Sequence, residues 1–264
     1  MGNPNFSHMG GRLLALALSL VLHGAIAPPP AVAQSATANL SNQANALYHS
    51  GQFEAARERY LQVVDSGVED ARVFYNLGNA CFKSGQLGQA ILWYERAGRL
   101  DPRDEDIQAN LRFANTVKPD REPQAENVVW RFLVDLFFYP TFDELSAFFC
   151  LLLLCCFGLA VQRLRSRFPA SAGWLVLMTL GASLVVLNGA YLGARIYHQE
   201  MVVEAVVIAG QGTARSGPDE GQAEVFIVHQ GTKVRIARRE GDWFLVRLTN
   251  GLGGWLPTGV VEVI

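Results

Sequence analysis

The sequence has little charge and no surplus of basic residues. Charged residues make up 17 % of its 264 positions, against about 25 % in an average soluble protein, while hydrophobic residues make up 50 %. With a net charge of −2, no segment has the basic surplus that neutralises phosphates, which excludes nucleic acid as a partner. The apolar excess lies in three separate blocks, so the composition indicates a multidomain chain with membrane segments.

Motifs for catalysis and for metal binding are also missing. The four cysteines lack the paired CxxC or Cys/His spacing of a metal site, and they are expected to be small buried hydrophobic residues. There is no G-x-S-x-G elbow, phosphate-binding glycine loop or H-E-x-x-H motif, and the five histidines are scattered. The sequence therefore predicts no cofactor, no metal and no enzymatic activity.

The N-terminal residues 1–33 are typical of a secretory signal peptide. Arg12 precedes a short apolar run at 13–22, and Ala31-Val32-Ala33 after three prolines provides an A-x-A cleavage site. The apolar run is too short for a comfortable membrane span. An uncleaved membrane anchor is the alternative.

Two further apolar runs, residues 145–161 and 174–196, are long enough to cross a bilayer. The only charges in the loop between them, 162–173, are the arginines Arg163, Arg165 and Arg167. The positive-inside rule places this loop in the cytoplasm, and the signal peptide independently sends the rest of the chain outward. We therefore expect a two-span protein of a bacterial inner membrane, with both termini and both soluble domains in the periplasm.

The segment 34–118 contains an internal repeat of period 34, because residues 37–70 align with 71–104. The matched pairs are Asn42/Asn76, Ala46/Ala80, Ser50/Ser84, Gly51/Gly85, Gln52/Gln86, Ala56/Ala90 and Tyr60/Tyr94. The pattern resembles the tetratricopeptide repeat, whose characteristic positions are occupied by Leu77-Gly78, Gly85, Ala90, Tyr94, Ala97 and Pro102. We expect two all-α hairpins, with Gly51 and Gly85 ending their first helices, and a capping helix at 105–116.

The resemblance implies protein binding on the concave face, which is lined by the first helix of each hairpin. In the second copy the matching positions are Arg72, Tyr75, Asn79, Phe82 and Lys83. They recur at spacings of three and four, so one helix presents them together. The alternative is that they form a solvated helix face without a partner.

The stretch 119–144 is predicted to be a linker followed by an interfacial helix. Trp130, Phe137, Phe138 and Tyr139 suit a helix at the level of the lipid headgroups, whereas the interrupting charges exclude a span. The alternative is an amphipathic helix packed on the repeat domain.

The C-terminal segment 202–264 has five apolar, β-branched stretches separated by turn sequences, which predicts a small all-β barrel. It resembles the bacterial type of Src-homology-3-like domain through Thr213–Pro218, Gly231–Val234, Asp242–Leu248, Asn250-Gly251 and Gly254–Leu256. Trp243 and Trp255 are expected to close the end of the barrel, with a ligand groove as the alternative.

The order of these segments resembles the BatE-type proteins of the bacterial aerotolerance (Bat) operons. That resemblance implies von Willebrand-type membrane proteins as partners, in envelope stress or complex assembly. The resulting hypothesis is a non-enzymatic scaffold that contacts membrane lipid and binds proteins. The alternative is a cell-wall sensor whose barrel binds peptidoglycan.

Overall fold

The computed structural model describes residues 31–120, 128–165 and 171–264. Within these ranges the helices are α1 (Ala31–His49), α2 (Phe53–Asp65), α3 (Ala71–Lys83), α4 (Leu87–Leu100), α5 (Glu105–Val117), α6 (Val128–Phe138), α7 (Phe142–Arg165) and α8 (Ala172–Met201). The strands are β1 (Val203–Val207), β2 (Gln211–Arg215), β3 (Glu224–His229), β4 (Lys233–Glu240), β5 (Trp243–Arg247), β6 (Gly253–Pro257) and β7 (Val261–Val263), with a 3-10 helix at Thr258–Val260.

Parts of three sequence predictions fall outside the described ranges. The predicted signal peptide, 1–33, lies outside them except for residues 31–33, which form the start of α1. Residues 121–127 of the linker and Arg167 of the arginine-rich loop also lie outside.

The first four helices form the two predicted hairpins, and α5 packs on the second hairpin as the predicted cap. Gly51 and Gly85 end the first helix of each hairpin at φ +79°, a backbone region that favours glycine. The carboxylate of Asp70 starts α3 by accepting from the backbone N–H of Arg72 and Val73. Helix ends in this domain therefore follow from local capping chemistry.

The second hairpin is held together by a close helix crossing. Ala90 is fully buried, and a Cβ on Gly78 would lie 2.7 Å from the ring of Tyr94, so only glycine fits there without a shift. Leu77, Ile91 and Tyr94 fill the seam as some of the largest fully buried side chains. The small residues of the repeat pattern thus set the distance between α3 and α4.

The C-terminal domain is a seven-stranded antiparallel sheet in the order β3-β2-β6-β5-β4-β1-β7. The prediction of a closed barrel is wrong, because the edge strands β3 and β7 do not pair. The three-residue β7 is too short to complete a ladder with β3. In the 3-10 helix before β7, the carbonyl oxygen of Val260 accepts hydrogen bonds from the backbone N–H groups of Ile208 and Ala209. All seven strands nonetheless contribute to one hydrophobic cluster: Ala205, Val207, Ala214, Val228, Val234, Val246, Leu256 and Val261.

Helices α7 and α8 pack side by side and are both long and apolar enough to cross a membrane. A Cβ on Gly181 would lie 2.9 Å from Sγ of Cys156, which marks the place where the two helices approach closely. Their apolar windows are 6 % and 0 % buried, so almost all of this apolar surface is exposed in the described structure. Cys150 and Cys155 are exposed on α7, which corrects the expectation that all four cysteines are buried. Cys81 is buried, as expected.

The sheet packs against the outer face of α4, the second helix of the second hairpin. Val206 is buried in the core cluster of the repeat domain, and a Cβ on Gly88 would lie 2.6 Å from the carbonyl oxygen of Val207. On the other side of the contact, Gly231 approaches Ile91 so closely that a Cβ would lie 2.6 Å from its Cδ1. Gly88 on α4 and Gly231 in the sheet domain thus allow the two domains to approach this closely.

A half-buried ion-pair network reinforces this contact. The ammonium group of Lys233 lies 3.1 Å from both Glu95 and Glu204, and Arg99 lies 3.3 Å from Glu204. Burial alone would lower the pKa of Lys233, but Glu95 and Glu204 raise it above its usual range. Burial would likewise raise the pKa of Glu204, which Lys233 and Arg99 instead lower. Lys233 and Glu204 are therefore both charged at neutral pH.

Asp120, just after α5, forms a second polar contact with the sheet. Its carboxylate accepts from the backbone N–H of His229 at 2.8 Å and from the hydroxyl of Thr232 at 2.7 Å, and it also lies 2.8 Å from Nδ1 of His229. Burial alone would raise the pKa of Asp120, yet these hydrogen bonds lower it. The repeat domain and the sheet are thus joined at both α4 and the end of α5.

Candidate protein-binding groove

A cavity of about 270 Å³ opens on the concave side of the repeat domain. It lies near the lower end of the ~300–1,000 Å³ usual for ligand pockets. Helices α1, α3, α4 and α5 contribute its lining: Tyr48, Tyr75, Asn79, Phe82, Lys83, Tyr94, Asn110 and Phe113. We call this surface the groove.

Four of the five residues predicted from the sequence line the groove together: Tyr75, Asn79, Phe82 and Lys83. Their spacing of three and four places them on one face of α3, while Gly78 lies in the seam with α4. Arg72 is not in the lining; its side chain is 88 % exposed and lies 3.6 Å from Asp70 in the preceding turn. The structure therefore separates Arg72 from the other four, and a binding role for any of them stays a prediction.

A hydrogen-bond network forms the floor of the groove. Oδ1 of Asn79 accepts from the hydroxyl of Tyr94 at 2.7 Å and from Nδ2 of Asn110 at 2.8 Å. The same Nδ2 of Asn110 also donates to the hydroxyl of Tyr75 at 3.0 Å. The side-chain oxygen of Asn79 is thus hydrogen-bonded within the protein, and its Nδ2 has no acceptor among the described residues.

Aromatic rings make up most of the apolar lining. Phe82 and Phe113 lie 5.7 Å apart between ring centroids, and Tyr75 and Tyr94 lie 6.1 Å apart. The ring of Phe113 is 57 % exposed although it is large and apolar. Burial raises the pKa of Tyr94 far above its usual range, so its hydroxyl remains a proton donor at all physiological pH values.

The only charge in the lining is that of Lys83 at the exposed end of α3. The groove therefore combines an aromatic wall, one amide donor and one cation. Such a surface suits an apolar side chain on an extended backbone with an acidic group nearby.

Three lining residues are absent from the sequence prediction: Tyr48, Asn110 and Phe113. Tyr48 falls on Phe82 in the 34-residue alignment, and Phe113 lies 34 residues after Asn79. The repeat period applied in both directions would have found these two. Asn110 falls on Asn76, which does not line the groove, so the period alone does not point to it; its place depends on how the cap helix α5 packs across α3.

The helical hairpins, the cap and the groove define a helical-repeat domain of the kind that presents a concave surface. In agreement, residues 41–105 match the family described as "Tetratricopeptide repeat". The matched range runs from α1 to the first residue of α5, so this part of the chain is similar to a family that is typically non-catalytic and suggests protein–protein interaction. No curated protein matches the chain.

Proposed function

We propose that this protein is a membrane-bound adaptor that binds an extended segment of another protein in the groove. The observation that carries the proposal is that side chains from four helices meet in one aromatic-lined cavity on the concave face of a tetratricopeptide-like domain. The sheet packs against α4, but none of the residues that line the groove belongs to the sheet, so the groove stays open beside this contact.

The groove chemistry supports a defined kind of ligand. Phe82 and Phe113 would hold an apolar or aromatic side chain, and Nδ2 of Asn79 would donate to a backbone carbonyl oxygen. Lys83 would attract an acidic residue of the same segment. Truncation of an aromatic side chain that becomes buried on binding typically weakens the binding free energy by ~2 kcal/mol or more.

The placement of both domains on one side of the membrane is also part of the proposal. Arg163 and Arg165 lie at the end of α7, on the side of the hairpin away from the soluble domains, which supports a cytoplasmic loop. The repeat domain and the sheet contact each other although both spans lie between them in sequence. This contact supports a placement of both domains on the same side of the membrane, and the arginines favour the periplasmic side.

A finer proposal concerns the partner. The order of segments, similar to that of BatE-type proteins, favours a von Willebrand-type membrane protein of a Bat complex. Peptidoglycan binding by the sheet domain has less support, because Trp255 is only 8 % exposed and lies within the sheet core rather than in a groove. The partner in the groove is therefore proposed to be protein.

The test uses the full chain with two groove residues that have no role in the core. Phe113→Ala combined with Lys83→Glu removes the exposed ring and inverts the charge, whereas Asn79 is avoided because it belongs to the structural network. Affinity purification from crosslinked cells should lose the partner by at least tenfold in the double variant.

Arg72→Ala provides the matched control, because it lies on the same helix but outside the groove. It should retain the partner, and both variants should keep the melting temperature of the unaltered protein. Equal recovery of every crosslinked partner by the double variant and the unaltered protein would contradict the proposal.

A further inference from the structure

Helix α6 carries an apolar face that the described part of the protein leaves uncovered. Val129, Phe132, Leu133 and Leu136 are 66 %, 63 %, 48 % and 56 % exposed. Their positions follow the i, i+3, i+4, i+7 spacing, so they form a single stripe along the helix. A stripe of this size is unusual on a surface that faces water.

The C-terminal end of α6 is fixed to the last turns of α8. The backbone oxygen of Phe137 accepts from the hydroxyl of Tyr191 at 2.5 Å and from the guanidinium group of Arg195 at 2.7 Å. The ring of Phe138 lies under Arg195 at 4.8 Å and contacts the ring of His198 at 5.1 Å. Phe137 and Phe138 therefore contact the end of α8, so other residues form the exposed face of the helix; the interfacial placement of this helix stays a prediction.

Charged groups at this end of the hairpin indicate the level at which hydrocarbon gives way to water. Arg195 is 8 % exposed, and its guanidinium group contacts the Phe137 carbonyl oxygen and aromatic rings. Arg103 of the repeat domain pairs with Glu144 in the first turn of α7 at 2.5 Å. Helix α6 ends at Phe138, a few residues before α7 begins, so it lies at the same level.

The length of α6 excludes a third span. Its 11 residues extend about 16 Å at 1.5 Å per residue, roughly half of the ~30 Å hydrocarbon core. Its apolar stripe has the same kind of exposed surface as α7 and α8, which are almost unburied along their apolar windows. A bilayer is the environment that suits all three surfaces at once, with α7 and α8 crossing it and α6 in the leaflet at this end of the hairpin.

We propose that α6 lies in the boundary between headgroups and acyl chains of the leaflet at this end of the hairpin. Phe132, Leu133 and Leu136 insert among phospholipid acyl chains, at a depth of roughly 5–10 Å. With the Arg103–Glu144 pair, this contact fixes the orientation of the repeat domain, and hence of the groove, relative to the membrane surface.

The experiment measures the depth of a spin label in the full chain, reconstituted in phosphatidylcholine nanodiscs. The four native cysteines are replaced by alanine, and a nitroxide is attached to Leu133→Cys. Glu58→Cys on α2 serves as the label in water and Phe157→Cys on α7 as the label in lipid, since both native residues are exposed. Power saturation compares collisions with oxygen and with a water-soluble nickel chelate.

The label at 133 is expected to collide more with oxygen than with nickel, as the label at 157 does. Nickel access equal to that at 58 would overturn the proposal by placing the stripe in water. Low access to both reagents would also overturn it, by showing that protein covers the stripe.

A second measurement requires no cysteine replacement. Phosphatidylcholine with a photoreactive diazirine in its acyl chain is crosslinked to the unaltered protein in the same nanodiscs. Peptides from α6 should carry the lipid adduct, and peptides from α2 should not. An α6 without adduct, in a sample whose α7 is labelled, would contradict the inference.

Discussion

The hydroxyl of Tyr94 donates to Oδ1 of Asn79 at 2.7 Å, and Tyr60 makes the same bond to Asn45 at 2.5 Å in the first repeat. Both members of the pair are shifted by one repeat, since 79 − 45 and 94 − 60 are both 34. In each hairpin, a tyrosine of the second helix is thus hydrogen-bonded to an asparagine of the first helix. Within the ranges that the structure describes, only the second copy has a further donor, Nδ2 of Asn110.

This difference predicts an order of stability between two conservative variants. Tyr60→Phe leaves Oδ1 of Asn45 without its donor, whereas Tyr94→Phe leaves Oδ1 of Asn79 with the donor from Asn110. We expect Tyr60→Phe to lower the free energy of unfolding by about 1–2 kcal/mol, and Tyr94→Phe to lower it by less. Denaturation of the purified full chain in detergent checks the order, and the reverse order would contradict the account of the network.

A second prediction concerns the docking of the sheet onto α4. Gly88→Ala should push the sheet away, because the added Cβ would meet the Val207 carbonyl at 2.6 Å. Overpacking of this kind typically costs ~1–3 kcal/mol. Hydrogen exchange of β1 and β7 should rise in this variant.

Gly98→Ala is the control on the same helix, where the nearest atom to the new Cβ is at 3.5 Å. Both substitutions favour the helix similarly, so helix propensity does not distinguish them. Protection of β1 in Gly88→Ala equal to that in Gly98→Ala would show that the two domains do not meet at this glycine.

A third prediction follows from the lowered pKa values of Asp120 and Glu204. Carboxylates with a pKa lowered by folding add stability above their ordinary pKa, about 4, and this stability is lost as pH falls through the folded value. Docking of the two domains should therefore stay constant from neutral pH to about pH 4 and weaken below it. Hydrogen exchange of the sheet against pH measures this.

Asp120→Asn tests the assignment to one group. The amide keeps the shape but accepts fewer hydrogen bonds from His229 and Thr232, so docking should be weaker at neutral pH and should change less between pH 5 and pH 3. An unaltered acid transition in this variant would exclude Asp120 as a contributor.

A fourth prediction tests membrane topology. Alkaline phosphatase, which is active only outside the cytoplasm, should be inactive when fused after Arg165 and active when fused after Ile264. Equal expression of both fusions is the control. Activity after Arg165 would contradict the periplasmic placement of both domains.

The helical repeat was predictable in detail because its determinants are local. Gly51 and Gly85 end helices by backbone conformation, and the 34-residue period locates the hairpins and the capping helix. The predicted spans were also found as helices, although both extend beyond the apolar runs because helical hydrogen bonding continues into the polar ends.

The sheet and the groove were less predictable because they depend on distant contacts. β2 has the sequence QGTAR, in which Thr213 is the only β-branched residue, and it is a strand because β3 and β6 supply its partners. Asn110 enters the groove only through the packing of α5, and no local pattern places the sheet on α4. Close approaches such as that of Gly88 to Val207 connect residues far apart in the chain.

Photocrosslinking in living cells shows whether the groove binds a protein. A photoreactive phenylalanine analogue is placed at Phe82 or Phe113 in the groove, and at Glu58 on the exposed surface of α2 as the control. We expect one discrete crosslinked protein at both groove positions, none at Glu58, and loss of the product when Lys83→Glu is added. No crosslinked product in the groove, or the same product at Glu58, would contradict it.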